Sequence, residues 1–284
     1  MNKMNKNLVL KVDRLSTEFI YKNRTAKAVR DVSFTLDKGK TLAVVGESGS
    51  GKSVTALSIM GLLSSPGEVT SGRILYRNSK EQLLDLTSID EISHRKVRGA
   101  EISMIFQEPM TSLNPLFTIG NQIGEMLELH YSSSKEDAMR RTIEILDLVE
   151  IPSAKQRIKD YPHQLSGGMR QRASLCRALI HEPEVLMLDE PFGSLDAFTR
   201  EELWCVLRDL WQERKFTVFL VTHDLIESAF LADRVLVMSN RPGRVIMELE
   251  IPFERPRDLD IRFEKEFVEI VHQLSAQIRT ARAA

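Results

Sequence analysis

Eight residues constrain this chain more than any others: Gly46-Glu47-Ser48-Gly49-Ser50-Gly51-Lys52-Ser53. They follow Thr41–Val45, a short apolar run with β-branched residues that suits a strand buried on both faces, and they precede an apolar helical stretch. A glycine loop in that context points its backbone amides inward and can cradle phosphate oxygens, and the helix that follows adds about half a positive charge at its N-terminus. Lys52 supplies a full charge to β and γ phosphates, and the Ser53 hydroxyl can ligate Mg²⁺. Gly46, Ser48, Gly49, Ser50, Gly51, Lys52 and Ser53 are therefore the nucleotide-binding candidates.

The chain around this loop reads as alternating strands and helices. Residues 8 to 37 alternate apolar and polar in the period of half-buried strands, and Asp37-Lys38-Gly39-Lys40 reads as a turn. Ser71–Tyr76 is expected as a further edge strand, while the charge-rich stretch from Ser79 to Gly99 gives no settled pattern. From Thr118 to Val149 the apolar residues recur at three and four, which predicts helices, punctuated by Pro109, Pro115, Pro152 and Pro162. Buried runs at Val185–Leu188 and Phe216–Val221 flank a helix over Arg200–Glu213, and Val235–Met238 and Val245–Leu249 are joined through Arg241-Pro242-Gly243. Such alternation predicts a parallel sheet covered by helices, with a helical subdomain at about 108–182 inserted into it. In the tail, Phe263, Phe267, Ile270, Val271, Leu274 and Ile278 fall on one helical face, which suits packing on the chain's own domain, with a partner or dimer contact as the alternative.

A second element carries chemistry. Val185-Leu186-Met187-Leu188-Asp189-Glu190 is an apolar strand that ends in two adjacent carboxylates. At the carboxyl end of a parallel strand Asp189 would stand beside the phosphate loop and hold Mg²⁺, and Glu190 could orient and deprotonate an attacking water. Alone such a pair often only caps a helix or faces solvent. With the phosphate loop it indicates a nucleotide hydrolase.

Leu165-Ser166-Gly167-Gly168-Met169 then resembles the LSGGQ signature of the ABC ATPase family, with Met169 in place of the final glutamine. The resemblance runs from about residue 8 to 275 and implies an α/β fold: a P-loop NTPase (RecA-like) core with an N-terminal antiparallel β subdomain and an inserted α-helical subdomain. It implies an ATPase domain over 8–250, a helical tail over 251–284, and ATP and Mg²⁺ as ligands. Ser166, Gly167 and Gly168 would present a hydroxyl and bare amides to ATP held by a second ATPase subunit. Gln107 would be the glutamine that senses Mg²⁺ and the attacking water, Asp196 of Ser194-Leu195-Asp196 would shape the contact between subunits, and His223 would touch the γ-phosphate. The adenine-stacking aromatic is expected in the first strands, at Phe19 by position, with Tyr21 as the competitor.

Within the family, residues 44–183 resemble ATPases of dipeptide, oligopeptide and glutathione importers, whereas the stretch from Leu188 onward resembles those of nitrate, taurine and other sulfonate importers. The peptide group tends to carry a cysteine-bearing C-terminal extension, and here no cysteine follows Cys205. Expected partners are integral membrane permease subunits, a second ATPase subunit and, indirectly, a substrate-binding protein, with the chain at the cytoplasmic face of the membrane. No apolar run approaches the roughly 18 residues of a membrane helix. A net charge of -1, from 39 basic and 40 acidic residues, argues against nucleic acid as a partner. The rival readings are a soluble ABC ATPase acting on DNA or the ribosome, and a non-catalytic regulatory cassette; Cys176 and Cys205 stand at no metal or redox spacing.

Overall fold

The computed structural model describes residues 6–106, 113–131 and 133–283. Gln107 and the residues after it to Ser112 lie outside that set, so the expectation placed on Gln107 has no geometry here.

The alternating stretch at the start of the chain folds as a hairpin of two long strands, β1 (Leu8–Tyr21) and β2 (Arg24–Asp37). After β3 (Thr41–Val45) and helix α1 (Lys52–Met60), strand β4 (Gly67–Arg77) returns to the free edge of β1, and β5 (Leu83–Asp85) extends the sheet to the order β2-β1-β4-β5. Ser71–Tyr76 is thus the middle of an interior strand rather than an edge strand. Its alternation, with Ile74 and Tyr76 buried, records one buried face and is blind to how many neighbours the strand has. The unsettled stretch from Ser79 to Gly99 holds β5 and most of helix α2 (Glu91–Ala100), whose first turn Asp90 caps by accepting the Ser93 N–H at 2.7 Å.

The second sheet contains β6 (Ile102–Ile105), β7 (Val185–Asp189), β8 (Thr217–Val221), β9 (Arg234–Met238) and β10 (Val245–Glu250), in the order β10-β9-β3-β8-β7-β6. All neighbours are parallel except β10 against β9. Strands β3, β7 and β8 are buried at every position, because one face packs on helices and the other on the antiparallel sheet. Between β6 and β7 come helices α3 (Ile119–Tyr131), α4 (Lys135–Leu148), the single-turn α5 (Ala154–Arg157) and α6 (Gly167–Leu179).

Helix α7 (Ala197–Arg214) joins β7 to β8, α8 (Leu225–Leu231) joins β8 to β9, and α9 (Lys265–Ala283) ends the chain. The tail lies against its own core. Phe267 and Leu274 are fully enclosed, with Ile270, Val271 and Ile278 beside them. Phe263, expected on the same face, is 73% exposed, because the chain is a 3-10 turn there and α9 begins only at Lys265, out of phase with it. Upstream, Arg257 is buried and donates to the carbonyls of Ala229, Phe230 and Ala232, which fastens the tail to the end of α8.

Candidate functional site

The order of the parallel strands brings distant motifs to one edge. β8 lies between β3 and β7, so the loops after β3, β7 and β8 leave the sheet side by side at its carboxyl edge, where open α/β sheets bind ligands. The ladder continues beyond the strands: the Glu190 N–H donates to the Val221 carbonyl at 2.8 Å, and the Thr222 N–H donates to the Val44 carbonyl at 3.1 Å.

The phosphate loop is held from two sides. Gly51 has φ of 90°, and a Cβ there would come within 2.8 Å of the Ala28 carbonyl oxygen, so the residue that precedes α1 has to be glycine. Gly243 presses on the loop from outside; a Cβ would lie 1.9 Å from the Ser50 oxygen, while its N–H and carbonyl bond to Ala28 and Arg30 at 2.9 Å. The turn Arg241-Pro242-Gly243, legible only as a connection in sequence, therefore backs the loop. Lys52 is buried, and its ammonium donates to the carbonyls of Gly46 and Glu47 at 2.9 Å each. Burial holds its pKa below the usual lysine range, against the opposing pull of Glu190 and Asp189. Ser48 and Gly49 stand exposed at the rim.

Facing the loop, the Ser53 hydroxyl donates to Asp189 at 2.8 Å. Burial raises the Asp189 pKa, the Ser53 bond opposes this, the neighbouring Glu190 adds to the rise, and Lys52 again opposes it. A hydroxyl and a buried carboxylate that meet in this way suit Mg²⁺, which usually takes one or two protein oxygens and fills the rest of its octahedron with water and phosphate. No group of three or more His, Cys, Asp or Glu side chains able to hold a metal occurs among the described residues. Glu190 sits in the left-handed region at φ of 47°, a conformation that costs a non-glycine residue roughly 1–2 kcal/mol. The bend brings its carboxylate to 3.0 Å from His223 Nδ1. Two motifs that are 33 residues apart in sequence are thus in contact.

The Ser166 turn forms a separate arrangement. Ser166 caps α6 by accepting the Met169 N–H at 3.2 Å, so the helix begins at Gly167. Its neighbours are Leu195, and Thr199, whose methyl group would be 2.7 Å from a Cβ on Gly168. Asp196 caps α7, accepting from the Thr199 N–H at 3.1 Å and hydroxyl at 2.7 Å; α7 therefore begins at Ala197, ahead of the expected Arg200. Phe19 is half-buried with its ring over Gly67, and Tyr21 is 44% exposed beneath the Arg24 guanidinium at 5.2 Å. Beside α3, a groove of about 880 Å³ is lined by Leu113, Pro115, Phe117, Gln122, Glu125 and Arg177.

A phosphate loop, a strand-end carboxylate pair and a histidine on three neighbouring parallel strands define a P-loop nucleotide hydrolase. A family model described as ABC transporter matches residues 29–193. The chain is 45% identical over 244 residues to a putative peptide import ATP-binding protein of Brucella abortus, spanning 86% of this chain and 72% of that protein. It is 47% identical over 231 residues to the glutathione import ATP-binding protein GsiA of Salmonella typhimurium, spanning 81% of this chain and 37% of that one. The dimeric structure of a bacterial ABC transporter cassette superposes with a TM-score of 0.74 at 27% identity, over 86% of this chain and all of that one. A dimeric post-hydrolysis state of an ATP-binding cassette, bound to ADP and Pi, gives 0.73 at 26% identity, with the same coverage. The chain belongs to the ABC transporter family and is one of its ATP-binding, ATP-hydrolysing cassettes.

Proposed function

We propose that the chain energises import of a peptide-like solute, glutathione included, through separate membrane subunits. The convergence of Lys52, Ser53, Asp189, Glu190 and His223 at one sheet edge carries the motor part of this reading, and the names of the relatives support the import part. The loop amides and Lys52 hold the ATP phosphates, and Ser53 and Asp189 hold Mg²⁺, while the resemblance in sequence gives Gln107 a role in sensing Mg²⁺ and the attacking water. Magnesium, when bound, neutralises charge on the phosphates and on Asp189. Glu190, preset by its bent backbone, takes the proton of the attacking water. His223, hydrogen-bonded to Glu190, reaches toward the γ-phosphate. Phe19 gives the adenine a π face beside the loop.

Two such cassettes close on two nucleotides, with Ser166, Gly167, Gly168 and Asp196 of each facing the ATP of the other. The superposition on dimeric cassettes and the exposure of the Ser166 turn favour this arrangement. No helix among the described residues is long and apolar enough to cross a membrane, and the groove beside α3, next to Leu116 at 78% exposure, suits contact with a permease at the cytoplasmic face. The names of the peptide and glutathione relatives favour a peptide cargo over a nitrate or sulfonate one, and transport over work on DNA or the ribosome.

The decisive experiment pairs Glu190→Gln with uptake in a reconstituted transporter. Hydrolysis should fall by about 10²- to 10⁴-fold while ATP binding persists and the paired state accumulates. Undiminished turnover would remove Glu190 from its role. ATP-driven uptake of a sulfonate or nitrate but of no peptide would overturn the cargo assignment.

A further inference from the structure

The Ser194–Asp196 turn and the His223 turn belong to different connections, one after β7 and one after β8. A single side chain bridges them. Arg200, in the first turn of α7, donates from Nη2 to the Leu195 carbonyl at 3.1 Å and from Nη1 to Asp224 Oδ2 at 3.0 Å. The pair is mostly enclosed, with side chains 26% and 19% exposed, so solvent weakens it less than a surface ion pair.

Asp224 is itself fixed on every side. Its Oδ1 accepts the N–H groups of Ile226 and Glu227, capping α8, and its own N–H donates to the Thr222 hydroxyl at 3.0 Å. That hydroxyl donates in turn to the buried Glu227 carboxyl at 3.2 Å. The backbone is therefore pinned on both sides of His223, whose ring alone reaches out toward Glu190.

We propose that Arg200 is a positioning residue that joins the Ser194–Asp196 turn to the His223 turn, so that a second cassette's contact at the first turn sets the histidine at the second. The inference rests on the reading of His223 and of that turn given above. A guanidinium suits the role because its planar fork reaches a carbonyl and a carboxylate in two directions at once, whereas an ammonium is a point charge on a flexible stem.

The test compares ATP turnover in the assembled transporter for Arg200→Ala, Arg200→Lys and Asp224→Asn, alone and combined, with His223→Ala alongside. Asparagine caps a helix about as well as aspartate, so Asp224→Asn removes the charge pair and keeps the cap. Arg200→Ala should lower kcat on the order of ten- to a hundredfold while KM for ATP moves less than about threefold. Arg200→Lys should not restore it, added methylguanidinium should restore part of it, and Asp224→Asn should add little to the Arg200→Ala loss. Wild-type kcat in either Arg200 variant, an equal fall in kcat/KM through KM alone, or independent multiplication of the two defects would overturn the proposal. Should Arg200→Ala fail to fold, Arg200→Lys and Asp224→Asn decide the matter by the same kcat criterion. Full activity in His223→Ala would instead defeat the reading of His223; an inactive His223→Ala beside fully active Arg200 variants defeats only the coupling.

Discussion

Two helix starts in this molecule are assigned to the nucleotide, one by its phosphate loop and one by the proposal above, and they differ in what they already hold. At α1 the first residue outside the helix is Gly51, which has no side chain to bond the free amides, and Lys52 stands among them, buried. At α6 the cap is Ser166, which is exposed and whose hydroxyl already accepts the Met169 N–H, and the half-buried Arg170 is the cation of the first turn. The first is a complete phosphate site with charge, loop and nearby carboxylates supplied by one chain. The second offers a helix N-terminus and a hydroxyl without a buried lysine, which suits the proposed role of adding to a nucleotide held by another cassette. The difference gives a physical reason for the proposed division of labour, in which one cassette binds ATP and a second completes the site.

The contrast breaks most visibly at the lysine. Lys52→Ala should weaken ATP binding by the isolated chain by about 100-fold or more, since charge-assisted bonds to phosphate are worth about 1.5–3 kcal/mol each. Calorimetry would check it, and retained affinity would mean that the loop amides suffice, making the two helix starts equivalent.

A second test concerns the buried carboxyl behind the first site. Glu227 is pushed up to about 8 by burial first and by Asp224, with Thr222 and Arg200 opposing and Glu190 adding to the rise. Its folded pKa lies above the unfolded value of 4.5, so the fold binds a proton that the unfolded chain releases. Its stability contribution is complete below about pH 4.5 and is lost as pH rises toward 8. Glu227→Gln, which imitates the protonated form, should flatten that decline and raise stability at pH 8, with each pKa unit worth about 1.4 kcal/mol at most. Urea unfolding at pH 5.5 and pH 8 reads this out, and parallel pH profiles for the two proteins would show a carboxyl that is ionised throughout.

The smallest effect falls at the other helix start. Ser166→Ala removes a cap and should cost about 1 kcal/mol of stability. ATP binding by the isolated chain should stay the same while cooperative hydrolysis drops. A fall in single-chain ATP affinity equal to that of Lys52→Ala would erase the distinction between the two sites.

Much of the site is legible in sequence because its parts are local. The phosphate loop declares itself by glycines between a strand and a helix, and Asp189-Glu190 by an apolar run that stops at two charges. His223 is different: one histidine after a strand carries no pattern, and only its order after the other motifs marks it. The interior place of β4 was not legible, because alternation reports a buried face and not a count of neighbours. Phe263 was misplaced because helical periodicity cannot say where the helix begins.

By itself, then, the sequence determined the α/β alternation, the loop that takes phosphate and the carboxylates that follow β7, since each depends on side chains within a few residues and on the backbone they prefer. Only the tertiary structure decided that β8 lies between β3 and β7, that Glu190 meets His223, that Gly243 backs Ser50 and that Arg200 bridges two turns. These contacts join residues from 24 to nearly 200 positions apart. They are set by strand order and by the packing of whole layers, which leave no local periodicity to be read.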